Sequence, residues 1–238
     1  MKRSQINRIL EESKPFFASM GFHLPPVAFW TPEDWRRAGP QAREIVDVGI
    51  GWDVTDLGFG DFRRKGLVLF TLRNGKDDDP RYPKRYAEKA MIVDEDQLVL
   101  THYHWKKTED IINRGGGDLV LELHNATPDN RLHDTPVRFS KDGIEHELPA
   151  GSHVTLEPGE SITLTPGLYH SFWGAPGKGK VFVGEVSSVN DDESDNCFYE
   201  PQHRYPSIEE DEVPVHLLVG DYPALAQFSG TSSGASQG

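Results

Sequence analysis

Two histidines one residue apart, His102 and His104 in "LTHYHWKKTED", are followed five positions later by Glu109. In an extended chain side chains alternate, so Leu98, Leu100, His102 and His104 share one face and Val99, Thr101, Tyr103 and Trp105 share the other. The histidines thus continue an apolar face. Imidazoles at the end of such a face, inside a barrel, are poorly solvated unless something engages their nitrogens, and a metal ion does that well. Glu109 follows a tight basic segment where the chain can turn back and offer an oxygen to the same ion. A second stretch, "LTPGLYHSFWG", sets a proline-glycine turn just before Tyr169 and His170 and supplies a fourth ligand. An H-x-H pair also occurs on exposed strands, so the second stretch is what turns the pair into a site.

The elements around these residues read as two regions. Near the start, Ile6, Ile9, Leu10, Phe16 and Phe17 recur at helical spacing, and "TPEDW" offers Thr31 as N-cap, a proline at the first helical position and Asp34 three residues on. Two short helices are therefore expected within a helical and loop segment over residues 1–65. From Gly66 the texture changes to short apolar runs between turn residues: "GLVLFTL", "AMIV", "QLVLTHYH", "DLVLEL", "HVTLEP", "SITLTPG", "KVFVGEVSS" and "VPVHLL". Eight or so strands without alternating helices predict an all-β domain over 66–225, a closed barrel or jelly roll. The small, polar end "SGTSSGASQG" predicts a disordered tail over 226–238.

Bulk properties narrow the partners. Thirty-eight acidic against twenty-five basic residues give a formal charge of −13, which argues against nucleic acid and against an anionic membrane surface. A small, uncharged ligand fits better. No apolar run approaches the roughly 20 residues that span a bilayer, and the first residues carry charges where a signal peptide has its apolar stretch. Cys197 is the single cysteine of the 238 residues and cannot form an intrachain disulfide, which suits a reducing compartment, the cytoplasm. The acidic run "DDESD" (191 to 195) is expected to be a solvated loop, since it lacks the ordered alternation of a calcium loop.

The order of H-x-H, a glutamate five residues on, the glycines of 115 to 117 and then P-G-x-x-H resembles the two-part signature of the cupins. Within that superfamily, "EKAMIVDEDQLVLTHYHWKKTEDIINRGGGDLVLELHNAT" and "GEVSSVNDDESDNCFYEP" resemble the bacterial D-lyxose isomerases. The resemblance implies a cupin barrel and a homodimer. It further implies a divalent metal, usually manganese, on His102, His104, Glu109 and His170, and interconversion of D-lyxose with D-xylulose, often also of D-mannose with D-fructose. It places a functional lysine at Lys89. It also implies a general base among the C-terminal glutamates, for which Glu185, Glu200 and Glu209 compete.

Such an isomerisation moves a proton between C1 and C2 and exchanges a carbonyl with a hydroxyl. A metal that chelates both oxygens polarises the carbonyl, and four protein ligands leave two positions of an octahedron for them. Three imidazoles and a carboxylate suit manganese, iron, cobalt, nickel or zinc alike. Glu185 alternates with Val181 and Val183 on an expected interior face, where apolar walls would raise its pKa toward the working pH. It is the first choice for the base. Trp105, Tyr169, Phe172 and Trp173 can form a floor for the sugar, or simply core. Two rival functions share this barrel: an Fe(II) dioxygenase, and a non-catalytic sugar-binding cupin.

Overall fold

A computed structural model describes residues 1–222. The expected tail, and the last three residues of the expected barrel segment, lie outside the described residues. The chain starts with α1 (Arg3–Ser19), a single helix that takes in all the apolar positions noted above and buries Ile6, Leu10 and Phe17. Next comes α2 (Pro32–Ala38), started by the expected cap: the Thr31 backbone N–H donates to Asp34 at 2.9 Å and the Asp34 N–H to the Thr31 hydroxyl at 3.3 Å. A short third helix, α3 (Arg43–Asp47), follows.

Segment 1–65 also contains a strand that the sequence reading leaves out, β1 (Gly51–Thr55). Its five residues, "GWDVT", are too few to show an alternation. The barrel strands then run in order: β2 (Leu67–Arg73), β3 (Tyr86–Val93), β4 (Val99–His104), β5 (Glu109–Gly116), β6 (Leu119–Ala126), β7 (Leu132–His133), β8 (Val137–Lys141), β9 (Ile144–Leu148), β10 (His153–Leu156), β11 (Ser161–Leu164), β12 (Leu168–Gly174), β13 (Val181–Ser188) and β14 (Asn196–Phe198). "VPVHLL" is not a strand. The Asn7 side chain takes over its backbone pairing, donating to the Val213 carbonyl at 2.9 Å and accepting from the Val215 N–H at 3.0 Å, and only Leu218 bridges to Trp52.

Two antiparallel sheets form a jelly roll. One has the order β1-β2-β3-β13-β5-β11-β8-β9 and the other β10-β6-β12-β4-β14, with β7 beside β6. Their inner faces meet in a core of Leu69, Met91, Val93, Leu121, Phe172, Val181 and Val183 among others. The alternate residues of the same strands, Phe70, Ile92 and Phe182, point outward and are covered by Ile6, Leu10 and Phe17 of α1, with Trp52 beside them. Strands buried on both faces read as unbroken apolar runs, which is why "AMIV" and "KVFV" show no polar alternation.

Phe17 meets the Phe182 ring edge-on at 5.2 Å and lies against Trp52 at 6.3 Å. Burial of its whole side chain makes it the pin between helix and barrel. Phe17→Ala is expected to lower the unfolding free energy by about 3–5 kcal/mol, measured by urea denaturation. A loss below about 1 kcal/mol would show that the helix is not anchored there.

Candidate active site

The imidazole cluster is set by strand register. β4 and β12 are antiparallel neighbours in which His102 lies directly opposite His170, and their rings are 4.3 Å apart. His104 sits two residues further along β4, on the same side. Strict alternation nevertheless breaks at a bulge, since His170 pairs with His102 but Phe172 with Val99. Val99 therefore joins the core, although the sequence reading puts it on the opposite face from the histidines. Bulges commonly re-aim side chains beside functional sites.

Glu109 opens β5 and comes in from the other sheet. Its Oε1 lies 3.1 Å from Nε2 of His170 and 3.4 Å from Nε2 of His104. One ring nitrogen from each of His102, His104 and His170 falls within 4.8 Å of the other two. Nδ1 of His102 donates to the Leu100 carbonyl at 2.7 Å, and Nδ1 of His170 to the Leu168 carbonyl at 3.0 Å. Those bonds fix each ring with its Nε2 turned toward the cluster. Burial, together with His170 and His104, pushes His102 well below the ordinary histidine pKa, so its ring is neutral.

A metal ion fits this donor set. Both nitrogens of His104 and Nε2 of His170 are sealed from solvent without a hydrogen-bond partner, and buried polar atoms of that kind need an explanation. Nε2 of His170 and the Glu109 oxygen approach to 3.1 Å, a separation that two ligands of one cation adopt. Donors about 2.1 Å from a common ion are roughly 3.0–3.4 Å from one another, which matches both Glu109 separations.

Beyond the histidines the cavity wall is ionic. Lys107, fully buried, reaches Oε2 of Glu109 at 2.7 Å and Oε1 of Glu185 at 2.8 Å. Burial works against its charge, but the two carboxylates outweigh burial and raise its pKa above that of an ordinary lysine. Lys89 lies opposite Glu185 in the register of β3 and β13. Its Nζ donates to Asn190 at 2.6 Å and lies 3.3 Å from Glu185 Oε1 and 3.8 Å from Asp192. The apolar surroundings expected for Glu185 are thus replaced by two ammonium groups on one oxygen. Its Oε2 accepts no hydrogen bond among the described residues.

The structure brings His102, His104, Glu109, His170, Lys89 and Glu185 into one cavity. It does not bring in the other two glutamates. Glu200 is exposed and paired with Lys65 at 2.9 Å, and Glu209 is two-thirds exposed beside Lys2 at the start of α1. Of the four aromatics only Phe172 lines the cavity. Tyr169 and Trp173 face away, against Tyr103 and His153, and Trp105 is half exposed.

Lys107, Asp192, Phe198 and Arg204 also line the cavity and are not among the sequence candidates. Lys107 stands two before Glu109, in phase with it, inside the basic segment that the sequence reading treats only as a turn. The loop between them is held by the Asp195 carboxylate, which accepts from the N–H groups of Lys106 and Lys107 at 2.8 and 3.0 Å. Phe198 of β14 stacks on His102 at 5.2 Å and fixes that ring. Asp192 corrects the reading of "DDESD" as a solvated loop. Burial alone would raise its carboxyl, but Lys89, Arg204 and Lys107 outweigh burial and hold it well below the usual carboxylate range.

A family model described as D-lyxose isomerase matches residues 1–222. The chain belongs to the D-lyxose isomerase family. It is 51% identical over 223 residues to a D-lyxose/D-mannose isomerase of Serratia proteamaculans, covering 93% of this chain and 98% of the relative. A D-lyxose/D-mannose isomerase of Escherichia coli O157:H7 is 49% identical over the same shares. Among solved structures, a mutant L-ribose isomerase of Acinetobacter sp. DL28 in complex with L-ribose superposes with a TM-score of 0.59 at 15% identity, covering 88% of this chain and 98% of that one. The fold is the cupin barrel, and the chain is a sugar isomerase. No helix among the described residues is long and apolar enough to cross a membrane.

Removing two of the three imidazoles should empty the cluster. Elemental analysis of His102→Ala/His170→Ala is expected to show less than about a tenth of the divalent transition metal that the native protein carries, since few ligands remain. Full retention would place the ion elsewhere.

Proposed function

We propose that this isomerase interconverts an aldose and its ketose by passing one proton between C2 and C1 through Glu185. D-Lyxose and D-mannose, the sugars in the relatives' names, are the expected aldoses. His102, His104, Glu109 and His170 would hold the divalent ion, and manganese is the ion that the sequence resemblance favours. The observation that carries the proposal is the position of Lys107, which touches both Glu109 and Glu185. One ammonium group thereby fixes a metal ligand and a base along one wall.

A divalent ion held by this cluster supplies Lewis-acid polarisation of the carbonyl and a template for two sugar oxygens. The chain's own groups move the protons. Lys107 and Lys89 hold Oε1 of Glu185, which leaves Oε2 to take the C2 proton and return it to C1. As that proton crosses, the O2 hydroxyl must lose a proton and O1 must gain one. Lys107, adjacent to the ligand cluster, is placed to relay that exchange. Opening of the sugar ring needs a second acid and base. Asp192 would accept the proton of the anomeric hydroxyl while Lys89 donates one to the ring oxygen. Leu69, Met91, Val99 and Phe172 line the remaining wall and keep water from the intermediate.

Action as a homodimer in the cytoplasm belongs to the same proposal. The sequence resemblance supports the dimer, and the unpaired Cys197 supports the reducing compartment. The test is turnover of D-lyxose after exhaustive chelation, which should abolish ketose formation, followed by manganese, which should restore it equally well with and without oxygen. Glu185→Gln should keep the metal and lose at least about a hundredfold in kcat. Near-normal turnover in that variant, or undiminished turnover after chelation, would contradict the proposal.

A further inference from the structure

The loop between β13 and β14 carries Asn190 up to the two lysines of the site without placing it on the cavity wall. Its Oδ1 accepts from Nζ of Lys89 at 2.6 Å and from Nζ of Lys107 at 3.3 Å. One lysine stands on β3 and the other in the turn before β5, and they meet at two points, this oxygen and Oε1 of Glu185. With Oε2 of Glu109 added, Lys107 has an acceptor for each of its three N–H groups.

Asn190 is itself held by Asn74, a buried residue just past the end of β2. Oδ1 of Asn74 accepts from the Asn190 N–H at 3.0 Å, and its Nδ2 donates to the Asn190 carbonyl at 2.9 Å and to the Val48 carbonyl at 3.0 Å. Both amide hydrogens and the oxygen are engaged, and only this orientation of the amide satisfies all three bonds. The clamp acts where the ladder has stopped, since β2 ends at Arg73 and β13 at Ser188. A side-chain amide there does for Asn190 what neighbouring strands do for Lys89 and Glu185.

Two ammonium groups on one carboxylate oxygen repel each other, and each ends a flexible four-carbon stem. A second shared acceptor keeps them together, and its chemical type matters. A carboxylate in that place would draw both cations away from Glu185 and could take up a proton itself. An amide oxygen accepts from both and stays neutral, so it fixes the lysines without competing as a base.

We propose that Asn190 is a positioning residue of the isomerisation: braced by Asn74, it aims Lys89 and Lys107 at Oε1 of Glu185, which keeps Oε2 as the oxygen presented to C2 and C1. This rests on the isomerase reading of the same site. Asn190 touches neither the sugar nor the ion, so its contribution falls on proton transfer and not on substrate binding. Asn74 acts one step further back, through Asn190.

The test follows initial rates on D-lyxose, expressed per bound manganese so that unfolded protein does not count. Asn190→Ala should lower kcat by at least about tenfold, the expected loss for one hydrogen bond to a charged group, while KM stays within about threefold of native. Asn190→Ser, whose shorter side chain cannot reach either ammonium group, should show the same split. In a Glu185→Gln background the Asn190→Ala change should lower kcat by less than about threefold, because no carboxylate is left to aim. Asn74→Ala should reproduce the loss in kcat and add less than about threefold to Asn190→Ala. A merely structural asparagine would lower turnover by the same factor with and without Glu185. That result, native-like kcat in both Asn190 variants, or a raised KM at unchanged kcat would overturn the assignment. Native enzyme that binds manganese but forms no ketose from D-lyxose would instead refute the isomerase reading, and the inference with it.

Discussion

Three imidazoles converge on one carboxylate in a space closed to water, with ring nitrogens that no protein group engages, and this juxtaposition organises the interior of the barrel. Glu109 stands at its centre. One of its oxygens meets the histidine nitrogens and the other meets Lys107. From there charges alternate along the wall: Lys107, Glu185, Lys89, Asp192, Arg204 and Asp53. Each buried charge has an opposite neighbour, which is the condition under which such groups are tolerated in an interior. Four carboxylates face three cationic side chains, so the chain of charges is one positive partner short. A divalent cation held among the three histidines and Glu109 would supply that charge and engage the orphaned nitrogens.

The fold supplies the rigidity this arrangement needs. Glu185, Lys89, Glu109 and the three histidines all sit on strands whose neighbours are paired on both sides. Their side chains are positioned by ladder register, as in the direct opposition of His102 to His170 and of Lys89 to Glu185. α1 contributes from behind. By covering Phe70, Ile92 and Phe182 it buries the outer face of the sheet that carries Lys89 and Glu185. The groups that complete the cavity, Asp192, Phe198 and Arg204, come from the chain after β13, where a wall can move without disturbing the ligands.

Legibility in the sequence followed chain distance. The cluster of His102, His104, Glu109 and His170 was readable because two lie on one strand, a third opens the next, and the fourth follows a proline-glycine turn, so local spacing carries them. Glu185 was readable because its period-two relation to Val181 and Val183 survives in the fold. Lys89 came from resemblance alone, since nothing local separates a buried lysine from a surface one. Lys107 and Asp192 were hidden by company: each sits in a run of like charges whose usual fate is solvent, and only tertiary pairing distinguishes them. Glu200 and Glu209 failed as candidates for a similar reason, because their position on the surface is decided by how the C-terminal segment wraps α1 and the barrel mouth. The bulge in β4 and the loss of "VPVHLL" as a strand depend on partners distant in sequence, and neither leaves a local mark.

The central claim is that a carboxylate carries a proton between adjacent sugar carbons in this cavity. The direct measurement is isomerisation of D-lyxose by the manganese-loaded enzyme in deuterated water, run to equilibrium, with deuterium at C1 of the ketose read by NMR. A proton held on Glu185 is exchangeable, whereas a hydride passed from C2 to C1 is not. Repeated turnover should therefore place deuterium at C1. Ketose that reaches equilibrium with C1 wholly free of deuterium would contradict the account.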